Sequence, residues 1–114
     1  MNLDLINQIK KSRQGTIKIG TCTFIYSRPT DAEAITVSKG TLSDYDVARM
    51  FVIGWTDVKA SDILSSAGSD PLEFDSSLWA EWLADRPDFW KPISDRVIES
   101  YKLHVERLKD AAKN

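Results

Sequence analysis

Length, composition and charge limit the class of protein. The chain has 114 residues, of which 42% are hydrophobic and 28% are charged, and this fits one globular domain, residues 1–114, with its own core. The formal net charge of −2 does not favour nucleic acid or an anionic membrane as a partner. No apolar run is long enough to span a bilayer, and no signal-peptide pattern occurs at the amino terminus. Cys22 is the single cysteine, so we expect a soluble protein of a reducing cytoplasm.

The first fifteen residues have a short apolar repeat. Leu3, Ile6 and Ile9 are spaced as on one face of a helix, and Lys10 follows them. The pattern is too brief to separate a short amphipathic helix from a mobile arm, because isolated helices of this length are marginal in water. Residues 1–15 are therefore interpreted as a helical or mobile N-terminal arm.

The next segment, residues 16–30, changes to a period of two. Apolar residues alternate on both sides of Gly20, and β-branched and aromatic side chains dominate. The pattern predicts either two short antiparallel strands that turn at Gly20 and Thr21, or one long strand with a bulge. Pro29 ends the extended run because it has no N–H to donate to a ladder.

Two helix starts follow, each with a capping signature. Thr30 with Glu33 predicts a short helix that runs to about Val37. Ser43 with Asp46 predicts a second start. From there apolar residues recur at steps of three and four as far as Val58, so we predict one continuous central helix over this stretch.

The second half of the chain is predicted to be mostly helical. Residues 59–74 are polar, contain glycine and proline, and indicate a surface loop. A helix capped by Asp75 or Ser76 is predicted to stop at Pro87, and a last helix is predicted to begin at Pro92 and to continue to about Lys109. The predicted fold is α+β and mostly α, with an N-terminal β-hairpin or extended arm followed by about four helices.

Residues that could carry chemistry are few and scattered. His104 is the only histidine and has no neighbours at metal-ligand spacing, so we interpret it as a surface or boundary residue. Cys22, within a β segment, is typical of a small core residue. No phosphate-binding glycine motif occurs. We therefore expect neither an enzyme nor a cofactor-binding or metal-binding protein.

Large aromatic residues are abundant for so small a domain. They fit a core that fills the space between a hairpin and helices. They also fit a binding surface, because Trp and Tyr are enriched among the anchors of protein interfaces. Both interpretations stay open, with Trp82 or Trp90 expected to be half exposed. The candidate protein-binding residues are Phe51, Trp55, Trp79, Trp82, Trp90 and Tyr101.

Four short stretches follow one another along the chain: Tyr26–Thr30, Phe51–Val58 with a Val-x-Gly-Trp-x-x-Val pattern, Pro71–Asp75 and the terminal Ala111–Asn114. In this order they resemble the tail assembly chaperones of long-tailed bacteriophages. Short members of that family often end in Lys-Asn. The Trp79–Trp90 segment departs from the family pattern because it is richer in tryptophan.

The resemblance implies a protein of the host bacterial cytoplasm that binds the phage tape-measure protein and helps to recruit tail-tube subunits. It implies no catalytic residues, and it leaves self-association open. Gly54 would allow close helix approach, and Trp55 would anchor the following loop. The alternatives are a structural minor tail or connector protein, and a small acidic protein-binding regulator.

Overall fold

A computed structural model describes residues 2–113, and the predicted α+β, mostly α class is confirmed. Within this range the elements follow in the order α1 (Leu3–Ser12), β1 (Gln14–Ile19), β2 (Cys22–Ser27), α2 (Asp31–Ser38), α3 (Asp44–Phe51), β3 (Val52–Thr56), α4 (Ala60–Ile63), α5 (Ser76–Ala84) and α6 (Pro87–Ala112). A short 3-10 turn spans Ser65–Ala67. Asn114, the last residue of the terminal motif, lies outside the described residues.

The three strands form one antiparallel sheet in the order β1-β2-β3. β1 and β2 make the predicted hairpin, with Ile19 opposite Cys22. Gly20 stands in the turn at a φ of 61°, where glycine carries no Cβ penalty. Every second residue of β2 is buried, as expected for a strand with one face on the core. The fold does not begin with the hairpin, because helix α1 precedes it; of the two alternatives predicted for residues 1–15, the helical arm is the one that forms.

The continuous central helix is the main error of the sequence prediction. α3 ends at Phe51, and the chain passes directly into strand β3. The register shifts by one between Ile25 and Tyr26, so that β3 has one extra residue, Ile53, between the partners of these two positions. This β-bulge lets Val52 and Trp55, three residues apart, both face the core, and that spacing imitates a helical period.

The predicted helix starts at α2 and α3 are confirmed. The hydroxyl of Thr30 accepts a hydrogen bond from the N–H of Glu33, whose carboxylate accepts one from the N–H of Thr30. Ser43 and Asp46 form the same reciprocal pair at α3. These boxes satisfy donors that the first turn would otherwise leave free.

The predicted boundary between the last two helices is wrong. α6 begins at Pro87, the residue that was expected to stop α5, and Pro92 lies inside it. Proline is favoured in the first turn because its missing N–H has no partner there. At Pro92 the lost bond is offset by burial of Phe89, Ile93 and Val97, which hold this part of α6 on the core.

The core lies between one face of the sheet and helices α3, α5 and α6. Residues 59–74, which the sequence predicted as a surface loop, contain α4 and the 3-10 turn. A single antiparallel β-bridge between Lys59 and Pro71 holds the two ends of this segment together. None of the helices within residues 2–113 combines the length and the apolar character needed to cross a membrane.

Candidate protein-binding surface

Most of the aromatic rings belong to the core. Phe24 of β2 is completely buried, and its ring centroid lies 5.0 Å from that of Trp79, 5.8 Å from Trp82 and 5.4 Å from Phe89. Trp55 meets Trp82 edge-to-face with the centroids 5.9 Å apart. Tilted and edge-to-face pairs at these distances add to the stabilisation that comes from burial alone.

Two of the buried tryptophans also donate hydrogen bonds inside the chain through their indole N–H groups. Trp55 donates to the carbonyl of Leu72 at 3.0 Å, and Trp79 donates to the carbonyl of Ala48 at 3.3 Å. The first bond confirms that Trp55 anchors the following loop. The N–H of Trp82 is buried without a hydrogen-bond partner among the described residues.

The structure therefore corrects four of the six candidate contacts. Phe51, Trp55, Trp79 and Trp82 are only 1% to 7% exposed, so their side chains do not reach a partner unless the core opens. Gly54 is also corrected, because it lies in β3 opposite Ile25 and not at a helix crossing.

The other two candidate rings are only partly buried. Trp90 packs edge-to-face on Tyr45 with the centroids 5.4 Å apart, and its indole N–H donates to the carbonyl of Leu83 at 2.7 Å. Tyr101 of α6 donates from its hydroxyl to Asp31 at the start of α2, at 2.8 Å. The sequence predicted that Trp82 or Trp90 would be half exposed, and Trp90 is the one that is partly exposed.

A larger apolar surface lies at the amino terminus. Helix α1 is amphipathic, and no residue of it is buried. Its apolar side chains, which we call the α1 face, have exposed fractions of 60% for Leu3, 50% for Leu5, 40% for Ile6 and 45% for Ile9. The sequence contains this periodicity, but the pattern is too brief to separate a helix from a mobile arm, so the sequence did not single out these residues as a surface.

The distal half of α6 is a second exposed element. The helix has 26 residues, about 39 Å in length, and its buried residues within the described chain lie at or before Val97. Leu103 and Leu108 beyond that point are 42% and 53% exposed. A cavity lined by Arg13 and Leu103, among others, joins the end of α1 to this part of α6.

A third feature is the α2–α6 groove, a cavity of about 360 Å³ whose lining includes Ala34, Val37, Ser38, Ile98 and Tyr101. The carboxylate of Asp31 stands beside it and joins the two helices. Its pKa is lowered by the hydrogen bond from the hydroxyl of Tyr101 and by His104, whose Nε2 lies 3.4 Å away.

Cys22 and His104, the two residues considered for chemistry, lie on different elements, β2 and α6. Cys22 is buried as predicted, and burial, followed by the negative charge of Asp62, raises the pKa of its thiol. His104 is partly exposed on α6, as predicted for a boundary residue. Within residues 2–113 no group of three or more side chains is placed to hold a metal ion.

Comparisons of the chain with family models, with curated proteins and with solved structures give no match.

Proposed function

We propose that this protein is a tail assembly chaperone of a long-tailed bacteriophage. In this role it binds the tape-measure protein in the host cytoplasm and helps to recruit tail-tube subunits. The proposal combines the sequence resemblance with the exposed apolar surfaces of α1 and of the distal half of α6.

The exposed α1 face is the observation that carries the proposal. Ten residues of helix have no buried side chain, while four large aliphatic groups face solvent. A helix this short is marginal in water unless it packs against something. An amphipathic helix of this kind matches the way in which proteins recognise one another through helices laid into apolar grooves.

The proposed client supplies a complementary surface. A tape-measure protein, as the resemblance describes it, is a long helical chain with apolar stripes that would aggregate if left bare. A small apolar face gives modest affinity per contact, and the binding of many copies along one client increases the overall affinity. Modest affinity also permits displacement by tail-tube subunits as the tube grows.

Co-expression with a fragment of the tape-measure protein tests the proposal. We expect the two proteins to co-purify, and light scattering to report a complex with more than one copy of this chain. Ile6→Asp and Leu108→Asp should each weaken the complex at least tenfold, because a charge replaces an exposed apolar contact. Gln8→Asp adds the same charge to the polar side of α1 and should leave binding unchanged.

Equal binding by all three variants, or no complex with the wild-type chain, would contradict the proposal. Mass spectrometry of purified virions separates it from the structural alternative. A chaperone should be missing from the finished particle, whereas a minor tail or connector protein should be present in stoichiometric amounts.

A further inference from the structure

Two apolar features are left uncovered by the side chains of residues 2–113. One is the α1 face, formed by Leu3, Leu5, Ile6 and Ile9. The other is the α2–α6 groove, where Val37 and Ile98 line an open cavity of about 360 Å³. A helix face and a groove are complementary shapes, and apolar side chains gain free energy when they leave water.

The shape of the groove suits a helix. Its α2 wall contains Ala34 and Ser38, which lie one turn apart on the same face and are small enough for a second helix to approach closely. The opposite wall is α6, and the hydrogen bond from Tyr101 to Asp31 holds the two walls together at one end.

The charges at the helix ends also match. The first turn of α2 is acidic, with Asp31 and Glu33, whereas the last turn of α1 is basic, with Lys10 and Lys11. An antiparallel arrangement of α1 and α2 would bring these turns together and would oppose the two helix dipoles. It would also place Asp4 of α1 near Lys39, which follows α2.

No residue of α1 lines the groove of its own chain, so an α1 helix that fills the groove comes from another molecule. The carbonyl of Arg13, directly after α1, accepts a hydrogen bond from the N–H of Arg28 at 2.9 Å, and this fixes the base of α1 at the start of the hairpin. Every residue of α1 described by the structure is exposed.

We propose that α1 of one copy packs into the α2–α6 groove of a second copy. The two surfaces differ, so the contact is head-to-tail: one copy contributes its α1 and the other its groove. Such a pair still has one unused groove and one unused α1. Copies therefore add in series, to a ring or an open chain. If the proposed function also holds, the client competes with this contact for α1, and client binding shortens the series.

Mixing two defective variants tests a head-to-tail contact directly. A double variant, Ile6→Asp with Ile9→Asp, disrupts the α1 face but keeps the α2–α6 groove. The variant Ala34→Arg fills the groove but keeps the α1 face. We expect the wild-type chain to grow in mass with concentration by light scattering, and each variant alone to stay monomeric. Their equimolar mixture should form a dimer, because one intact groove meets one intact α1.

The controls separate this contact from misfolding. Gln8→Asp, with the same charge on the polar side of α1, should associate like the wild type. Ser38→Arg blocks the groove from an exposed position and should behave like Ala34→Arg, and circular dichroism should report unchanged helix content for all variants. Raising the salt concentration should weaken association, because the end charges contribute to it.

A wild-type chain that stays monomeric at roughly millimolar concentration, far above typical interface affinities, would overturn the proposal. A dimer that survives the groove variants but not the α1 variant would mean that two α1 helices pair with each other, which also overturns it. These measurements contain no client. Leu108 lies outside both surfaces, so Leu108→Asp should self-associate like the wild type although its client binding is expected to be weaker. The failure of client binding and the failure of this contact are therefore distinguishable.

Discussion

Replacing Phe24 by alanine tests the assignment of the aromatic rings to the core. Phe24 is completely buried, and its ring meets Trp79, Trp82 and Phe89 at centroid distances between 5.0 and 5.8 Å. Truncation of a buried phenylalanine costs roughly 3–5 kcal/mol through lost burial and the cavity left behind. Three ring partners place the expected loss at the upper end of that range. A domain of this size is stable by only about 5–15 kcal/mol, so the loss is a large share of the total.

Urea denaturation followed by tryptophan fluorescence measures this loss. With a slope of about 2 kcal/mol per molar urea, a loss of about 5 kcal/mol lowers the midpoint by about 2.5 M. Ile35→Ala is the matched control, because Ile35 is 61% exposed and its truncation should change stability by about 0.5 kcal/mol or less. If Phe24→Ala lowers the free energy of unfolding by less than about 1 kcal/mol, the assignment of the rings to the core is wrong, and they become candidates for surface contacts again.

Three further predictions concern single positions. Gly15→Ala should destabilise by about 1–3 kcal/mol because a Cβ there collides with the buried ring of Tyr26, whereas Gly54→Ala meets Ile25 only at 3.5 Å and should be tolerated in thermal melts. The pKa of Asp31 is lowered in the folded chain, so this carboxylate stabilises the fold above its unfolded pKa of about 3.9, and the contribution is lost as pH falls through the lower folded value. Asp31→Asn should therefore melt below the wild type at pH 7, and the difference should shrink as the pH falls below the unfolded value of about 3.9; a difference that is constant with pH would contradict the assignment. Cys22, with its raised pKa and its burial, should react with a thiol reagent at pH 8 far more slowly in the native chain than in urea, and equal rates would place the thiol at the surface.

Local signals in the sequence predicted local structure correctly. The capping boxes of Thr30 with Glu33 and of Ser43 with Asp46 form as predicted, because each depends on residues three apart. The hairpin follows from alternation on either side of Gly20, and Asp75 caps α5. These features need no knowledge of distant parts of the chain.

The errors arose where tertiary contacts decide between two local solutions. Val52 and Ile53 are β-branched and favour a strand, but the three-residue step from Val52 to Trp55 imitates a helix until the bulge opposite Tyr26 is known. Pairing with β2, which is distant in sequence, favours the strand. Likewise, we predicted Pro92 as a helix start because a proline inside a helix loses a backbone hydrogen bond, which is visible from the sequence. The burial of neighbouring residues of α6, which offsets this loss, is visible only in the folded core.

The candidate surface was the least predictable part. Large rings indicated binding by composition, but composition does not distinguish a ring that fills a core from a ring that faces a partner. The structure buries Trp79 and leaves Leu3 and Ile6 in solvent, so the exposed apolar area lies on aliphatic residues of a short helix. Only the packing of residues 2–113 shows that no side chain of α1 is buried against the rest of the domain.

Hydrogen exchange of the free chain and of its complex with a tape-measure fragment tests the central claim most directly. In the free chain at low concentration, the amides of α1 should exchange quickly, because this helix has no buried side chain. Addition of the client should slow exchange in α1 and in α6 beyond Val97, while exchange in β2 and α5, which hold the aromatic core, should not change. Unchanged exchange in α1 together with altered exchange in β2 and α5 would contradict the account, because the partner would then contact the core elements and not the exposed helices.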